Sequence, residues 1–335
     1  MIITRTPYRI SLFGGGTDLK EYFQNNDDAG VLSTTIDKYC YISLRKLPKF
    51  FKHNNRIVYS RIELVNEFDQ IKHRAIKTIL KYMNIPNCIE MHHDGDLPAR
   101  SGLGTSSSFS VGLINASAKL MEEDYLKDQL AKKAIHVEQN LLGDPVGVQD
   151  QIAAAYGGFN NIVIDRYGNF KVIPIPSDEE KLVKLNSEML LFFTGIQRES
   201  NNIEESKIKK IDDTIKNFQE IAKIKKNAIK AFGSSTFKTE DFGNLLHDTW
   251  EQKKKLSELV SNKLIDDAYL SAKGNGAWGG KILGAGGGGF MIFLAHRSKH
   301  KKIKEDLCKH FMHINFKFDC EGSKIILEKQ IKFDN

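Results

Sequence analysis

The sequence predicts a chain of mixed helices and strands in two parts, and three observations lead there. β-forming residues dominate roughly the first 61 positions; an almost wholly apolar helix follows a Gly/Ser-rich loop at 98–108; and a segment with two prolines, 174–180, precedes a second block of elements. At 335 residues and 41% hydrophobic content, the chain can fill one large core or two ordinary ones.

In order, residues 9–13 read as a strand that stops at Gly14-Gly15-Gly16, and 39–44 are again rich in β-formers. A strand at 88–92 runs into the 98–108 loop. Beyond it Phe109, Leu113, Ala116 and Leu120 recur at helical spacing, while Val111, Ile114, Ala118 and Met121 occupy the other faces. A helix apolar all round belongs at the centre of a fold. Leu130, Ala134, Val137 and Leu141 mark another helix, which Gly143 ends as a left-handed C-terminal residue. Residues 162–164 and 170–173 form a hairpin. The proline pair then divides the chain into domains at 1–180 and 181–335. In the second part, 189–193 is a buried strand, and 203–232 is one long charged helix whose lysine runs read as a solvated face. Nine of the 26 glycines fall within 274–289, where an even spread would place about one, so the backbone there must turn sharply or approach something closely. A strand at 290–295 follows.

The charged residues, 49 Lys plus Arg against 42 Asp plus Glu, leave +7, a balance that suits nucleic acid, a membrane surface or small anionic substrates. No basic-aromatic motif accompanies it, so a nucleic-acid partner would rest on net charge alone. The four cysteines, Cys40, Cys88, Cys308 and Cys320, are too scattered for a disulfide framework or a zinc site and fit a reducing cytoplasm. The N-terminus lacks the regions of a signal peptide, and no apolar run approaches the roughly 20 residues that span a bilayer. Neither nucleic acid nor membrane is expected as a partner.

The chemistry concentrates in Pro98-Ala99-Arg100-Ser101-Gly102-Leu103-Gly104-Thr105-Ser106-Ser107-Ser108, between a strand and a helix. Glycines let backbone N–H groups approach an anion, and the helix that follows adds its unsatisfied donors and positive dipole end. The hydroxyls of Thr105, Ser106, Ser107 and Ser108 can add hydrogen bonds or ligate magnesium. This is a phosphate cradle, but not a Walker A loop: the single Gly-Lys pair, Gly280-Lys281, is followed by Ile282. Gly284-x-Gly286-x-x-Gly289 has the letters of a dinucleotide fingerprint, yet a strand follows where that motif opens a helix.

Three segments in this order resemble the GHMP kinases: residues 7–18 (Pro-Tyr-Arg-Ile-Ser-Leu-Phe-Gly-Gly-Gly-Thr-Asp), the 98–108 loop, and Gly284-Ala285-Gly286-Gly287-Gly288-Gly289. The resemblance implies an α+β fold of two domains, an N-terminal S5-like one and a C-terminal ferredoxin-like one, with ATP and Mg2+ at the site. It implies that Asp150, within Gly147-Val148-Gln149-Asp150-Gln151, is the catalytic base. Arg9 is then the neighbouring cation that stabilises the transferred phosphoryl group. Glu138, 12 residues before Asp150, matches the family's metal-binding glutamate, to be joined by Ser106 or Ser107. Asp18, Gly15, Gly16, Gly286 and Gly287 fall where the substrate binds. Galactokinases carry Glu-His where this chain has Gly15-Gly16, which opens the pocket to a different or larger sugar.

The spelling of the first two motifs and Thr194-Gly195-x-x-Arg198-x-Ser200 are most similar to the bacterial D-glycero-D-manno-heptose 7-phosphate kinase branch. That branch phosphorylates O1 to a 1,7-bisphosphate on the way to GDP-heptose. The substrates so implied are a small sugar phosphate and ATP, with Arg198 toward the sugar's phosphate. The L-fucokinase branch, acting on an unphosphorylated sugar, is spelled similarly, and a silent sugar- and ATP-binding regulator is the reading outside catalysis.

Overall fold

The computed structural model describes residues 1–175, 179–196 and 200–329. In chain order its strands are β1 (Ile2–Phe13), β2 (Gly30–Lys46), β3 (Asn55–Val58), β4 (Ile62–Val65), β5 (Ile89–Gly95), β6 (Phe159–Ile164), β7 (Phe170–Pro174), β8 (Met189–Phe193), β9 (Ala277–Ile282), β10 (Phe290–Ala295), β11 (Met312–Ile314), β12 (Phe318–Asp319) and β13 (Lys324–Glu328). The helices are α1 (Lys20–Phe23), α2 (Arg74–Tyr82), α3 (Thr105–Leu120), α4 (Lys127–Ile135), α5 (Gln149–Tyr156), α6 (Glu179–Ser187), α7 (Ser200–Lys209), α8 (Ile211–Gly233), α9 (Thr239–Lys254), α10 (Lys263–Gly274) and α11 (Arg297–Leu307).

Two sheets carry the fold. In the first, the order β13-β1-β2-β5-β3-β4 is extended where the long β2 also pairs with β6 and β12, and β7 pairs with β6. β2 can serve so many neighbours because its 17 residues outrun any single partner: its first half bonds to β6 and its second half to β5. The second sheet, β11-β8-β10-β9, is antiparallel and places its first strand in the interior. With helices between β8 and β9 and between β10 and β11, this is the split βαβ arrangement of a ferredoxin-like domain.

α3 is the central helix that its all-round apolarity requires: it is buried from Ser107 to Ala118 and packs on β1 and β2. Gly112 permits that approach, because a Cβ there would stand 2.9 Å from the Thr6 hydroxyl. One hydrophobic core runs through both sheets, joining Ile10, Ile42 and Ile114 to Phe242, Phe290 and Ile292.

Three expectations need correction. The chain does not divide cleanly at 180, because β12 and β13 return to the first sheet and β13 pairs antiparallel with the start of β1. An open edge at Ile2–Arg5 is thereby covered. The charged segment 203–232 is two helices, α7 and α8, broken at Lys210. Nor is it a uniformly solvated face: Lys207 and Lys225 are both buried. Among the described residues no helix is long and apolar enough to cross a membrane.

Candidate active site

A cleft opens where the two halves meet. One wall is the turn after β5 that leads into α3. Arg100, Gly102 and Gly104 all have left-handed φ, of 58°, 83° and 71°, so the loop coils tightly before α3 begins at Thr105. The helix thus opens on the cleft, and Gly102, Gly104, Thr105, Ser106 and Ser107 line it. Orphan N–H donors and the positive end of a 16-residue helix point at whatever occupies that wall, as a polyphosphate requires.

The other expected loop residues hold the turn in place. The Ser101 carbonyl accepts from Phe290 N–H at 3.0 Å, and Leu103 is core while its carbonyl accepts from Arg9 N–H at 3.0 Å. The Ser108 hydroxyl donates to the Pro7 carbonyl at 2.8 Å, away from the cleft. Pro98 lies outside the lining. The third glycine-rich segment, between β9 and β10, is packed face to face on this loop. A Cβ on Gly284 would lie 2.5 Å from the Gly102 backbone, and one on Gly289 would lie 2.2 Å from the Ser101 carbonyl. That close approach is the backbone reason for the concentration of glycines. Gly286 reaches the cleft, whereas Gly287 turns onto 260–262, its N–H bonded to the Val260 carbonyl at 2.8 Å.

The first turn of α5 is the junction of the site, for its three successive side chains meet three different partners. Asp150 receives Arg9 in two parallel bonds, Nε–H to Oδ1 at 2.7 Å and Nη2–H to Oδ2 at 2.8 Å, and Arg9 spends Nη1–H on the Gly102 carbonyl at 2.8 Å. Arg9 is 3% exposed, so the guanidinium has no freedom to leave. The Gln149 amide donates to Asp18 Oδ1 at 3.2 Å, and its backbone N–H donates to Oδ2 at 3.3 Å. Gln151 donates to Glu138 Oε2.

Asp18 is buried, with Gly15, Gly16 and Gly147 around it; a Cβ on Gly147 would collide with its Oδ2 at 1.9 Å. Burial first, and the Asp150 carboxylate second, push its carboxyl up to about 6. Glu138 stands behind Ser107, whose hydroxyl donates to Oε2 at 2.8 Å. It is Ser107, not Ser106, that meets the glutamate, while Ser106 faces the cleft. Burial pushes the Glu138 carboxyl up to about 7, against the hydrogen bonds that the Ser110, Ser107 and Gln151 side chains give it. A buried carboxylate one layer behind the Ser106 and Ser107 hydroxyls fits a cation beside the phosphate wall. The backbone is bent for this purpose: after α4 the chain makes a π-helical turn, His136–Leu141, with Leu142 N–H bonded to the Val137 carbonyl at 2.9 Å. Such wide turns re-aim a side chain within a helix. Arg198 lies outside the described residues.

Sequence reasoning missed the two glutamines that flank Asp150, although both were in view within the motif. It missed Lys207, Lys253 and Lys281 as well, which line the cleft from α7, α9 and β9.

Comparison with known proteins decides the family. Residues 70–158 match the GHMP kinases N terminal domain and 228–313 the GHMP kinases C terminal domain. The D-glycero-alpha-D-manno-heptose 7-phosphate kinase of Campylobacter jejuni is 35% identical over 346 residues, covering 96% of this chain and 98% of that one. This chain belongs to the GHMP kinase family. As a GHMP kinase it is a phosphotransferase, and ATP as donor is consistent with the wall at α3. The mevalonate kinase of Methanocaldococcus jannaschii is 27% identical over 330 residues, covering 95% of this chain and 99% of its own. The fold is shared with the crystal structure of a D-glycero-D-manno-heptose 1-phosphate kinase from Bacteriodes thetaiotaomicron, at a TM-score of 0.79 and 22% identity over 98% of this chain and 100% of that one. The two-domain α+β architecture expected from the motifs is therefore the one present.

Proposed function

We propose that this GHMP kinase transfers the γ-phosphoryl group of ATP to O1 of a heptose that already carries a phosphate, D-glycero-D-manno-heptose 7-phosphate, giving the 1,7-bisphosphate. The observation that supports this reading is that the Arg9–Asp150 pair adjoins Gly102 and Gly104 before α3 and shares its cleft with a second wall, read as the acceptor wall. That acceptor wall is made of Gly15, Gly16 and Asp18. The end-to-end similarity to a heptose 7-phosphate kinase supports the choice of sugar.

Asp18 accepts hydrogen bonds from the sugar hydroxyls and fixes the ring. Asp150 takes the proton of the attacking hydroxyl, a task that general-base catalysis rewards with roughly 10²–10⁴ in rate. Arg9 holds that carboxylate in one orientation and sets a fixed positive charge beside the phosphoryl group, whose equatorial oxygens gather charge in the transition state. Ser106, Ser107 and Glu138 are the residues that would hold Mg2+, which would supply neutralisation of the phosphate charge. A reducing, cytoplasmic setting suits the four free cysteines.

The test is a coupled ADP-release screen across heptose 7-phosphate, fucose, galactose and mannose. Turnover on heptose 7-phosphate at a kcat/KM at least 10²-fold above the others is the expected result; a preference for fucose rejects the reading in favour of an unphosphorylated sugar, and no turnover on any sugar leaves only a binding protein.

A further inference from the structure

Three lysines from separate elements converge on the cleft: Lys207 of α7, Lys253 of α9 and Lys281 of β9. They are 3%, 7% and 2% exposed, which is exceptional for side chains that ordinarily keep their ammonium in water. Their contacts do not account for that burial. Lys281 Nζ donates to the Leu12 carbonyl at 2.7 Å, and Lys253 Nζ to the carbonyls of Ile282 and Gly284 at 3.0 and 2.5 Å. Among the described residues neither has a carboxylate in ion-pair contact. Lys207 alone has one, Glu204 at 3.0 Å. An ammonium has three donors, so each of the three retains at least one proton for a further acceptor. Burying several like charges with so little compensation is costly unless an anion completes the set. Consistent with an incomplete set, burial and the neighbouring cations hold Lys253 well below its ordinary range and Lys281 down to about 7.

The phosphates of the nucleotide have a wall of their own at the start of α3. Lys253 borders that wall through Gly284, whereas Lys207 leads toward the acceptor carboxylate: Glu204, its partner, is close enough to Asp18 to raise its proton affinity. Lys281 is anchored at Leu12, in the strand end that leads into the Gly14–Gly16 turn.

We propose that Lys207, Lys253 and Lys281 form an anion subsite that receives the phosphate already borne by the acceptor sugar, and so select a phosphorylated over an unphosphorylated substrate. This rests on the phosphosugar reading above. The subsite assigns that selectivity to residues of the ferredoxin-like half.

The experiment measures the ratio of kcat/KM for heptose 7-phosphate to that for the same heptose without phosphate. Wild type is compared with Lys207→Gln, Lys253→Met and Lys281→Met, each checked for folding by its thermal melt. The expected wild-type ratio exceeds about 10², and each variant lowers that ratio by about 10-fold or more, the scale of losing one charged hydrogen bond. A wild-type ratio near one overturns the phosphosugar reading and the subsite with it. A large wild-type ratio that all folded variants preserve overturns the subsite alone, because lysines that only brace the loop at Gly284 would depress both sugars equally. Lys207→Gln leaves the carbonyl contacts at Gly284 and Leu12 in place, so it decides the matter where the other two do not fold. Calorimetric titration of heptose 7-phosphate without nucleotide tests the subsite independently of turnover: a weaker Kd in Lys207→Gln is expected, and an unchanged one counts against the subsite.

Discussion

The Arg9–Asp150 pair immobilises a carboxylate without using up its oxygens. Each Asp150 oxygen is held by one guanidinium N–H, and each still has a lone pair to offer a hydroxyl proton. Asp150→Asn should therefore lower kcat by about 10²-fold or more, with KM for ATP changed less than about threefold; steady-state kinetics with both substrates checks it, and a kcat within threefold of wild type removes the base from Asp150. Asp18 offers a second prediction, through pH. Its folded proton affinity lies above the ordinary carboxylate value of 3.8, at about 6, so the folded protein binds the proton more tightly than the unfolded chain. Stability from this group is fully present below about pH 3.8 and is lost as pH rises through about 6. Asp18→Asn cannot ionise and should gain on wild type by up to roughly 3 kcal/mol between pH 4 and pH 7. Melting curves at the two pH values test this, and a difference that does not grow with pH contradicts it.

Among elements, the first turn of α5 and the π-helical turn before it do the positioning. Glu138 reaches the back of Ser107 because the chain widens at His136–Leu141, and Gln151 clasps it from α5. Replacing Glu138 by glutamine should raise the magnesium concentration for half-maximal rate by about 10-fold or more. A magnesium titration at saturating substrates reads this; an unchanged curve would make Glu138 a packing residue. Gly147 tests the acceptor side of the same turn. Its Cβ has no room beside Asp18, so Gly147→Ala should displace that carboxylate and lower kcat/KM for the sugar by roughly 10²-fold, with KM for ATP little changed.

These elements also mark what the sequence could say. That Arg9, Asp18 and Asp150 lie in one cleft was legible because short glycine-bounded motifs constrain them in sequence order. The choice between Ser106 and Ser107 was not, since it depends on the left-handed residue Gly104 that starts α3 and on the rotation of about 100° per residue that follows. Lys207 was read as part of a solvated run, because charge and helical spacing look alike whether a lysine faces water or a cleft. Its burial is decided by Glu204, by α9 and by β9, and those contacts are tertiary.

For the whole molecule, the net charge of +7 has a local counterpart: the cleft gathers five Lys and Arg side chains against three carboxylates. Such a cleft attracts anionic substrates from solution, so kcat/KM should fall with added salt more steeply than kcat. The N- and C-terminal halves are further tied by the end of the chain, where Ser323 N–H donates to the Ala154 carbonyl at 2.9 Å and the Thr6 and Ser323 hydroxyls meet at 2.8 Å. Removing residues 321–335 should lower the Tm by several degrees, as expected for a few kcal/mol in a protein of this size. An unchanged melt would show that β13 adds nothing to the first sheet.

That final strand also sets the order of events during synthesis. Arg9 is made well before β13, so the strand that carries it keeps an unpaired edge at Ile2–Arg5 until Lys324–Glu328 are available to cover it. At roughly 5–20 residues per second the nascent chain would spend on the order of 15–65 seconds with that edge open. Throughout that interval the sheet edge can recruit a strand from another chain. Shielding of the Ile2–Arg5 edge by a chaperone, or a pause in translation before β13 is made, would therefore act on the yield of active enzyme without touching any residue of its cleft.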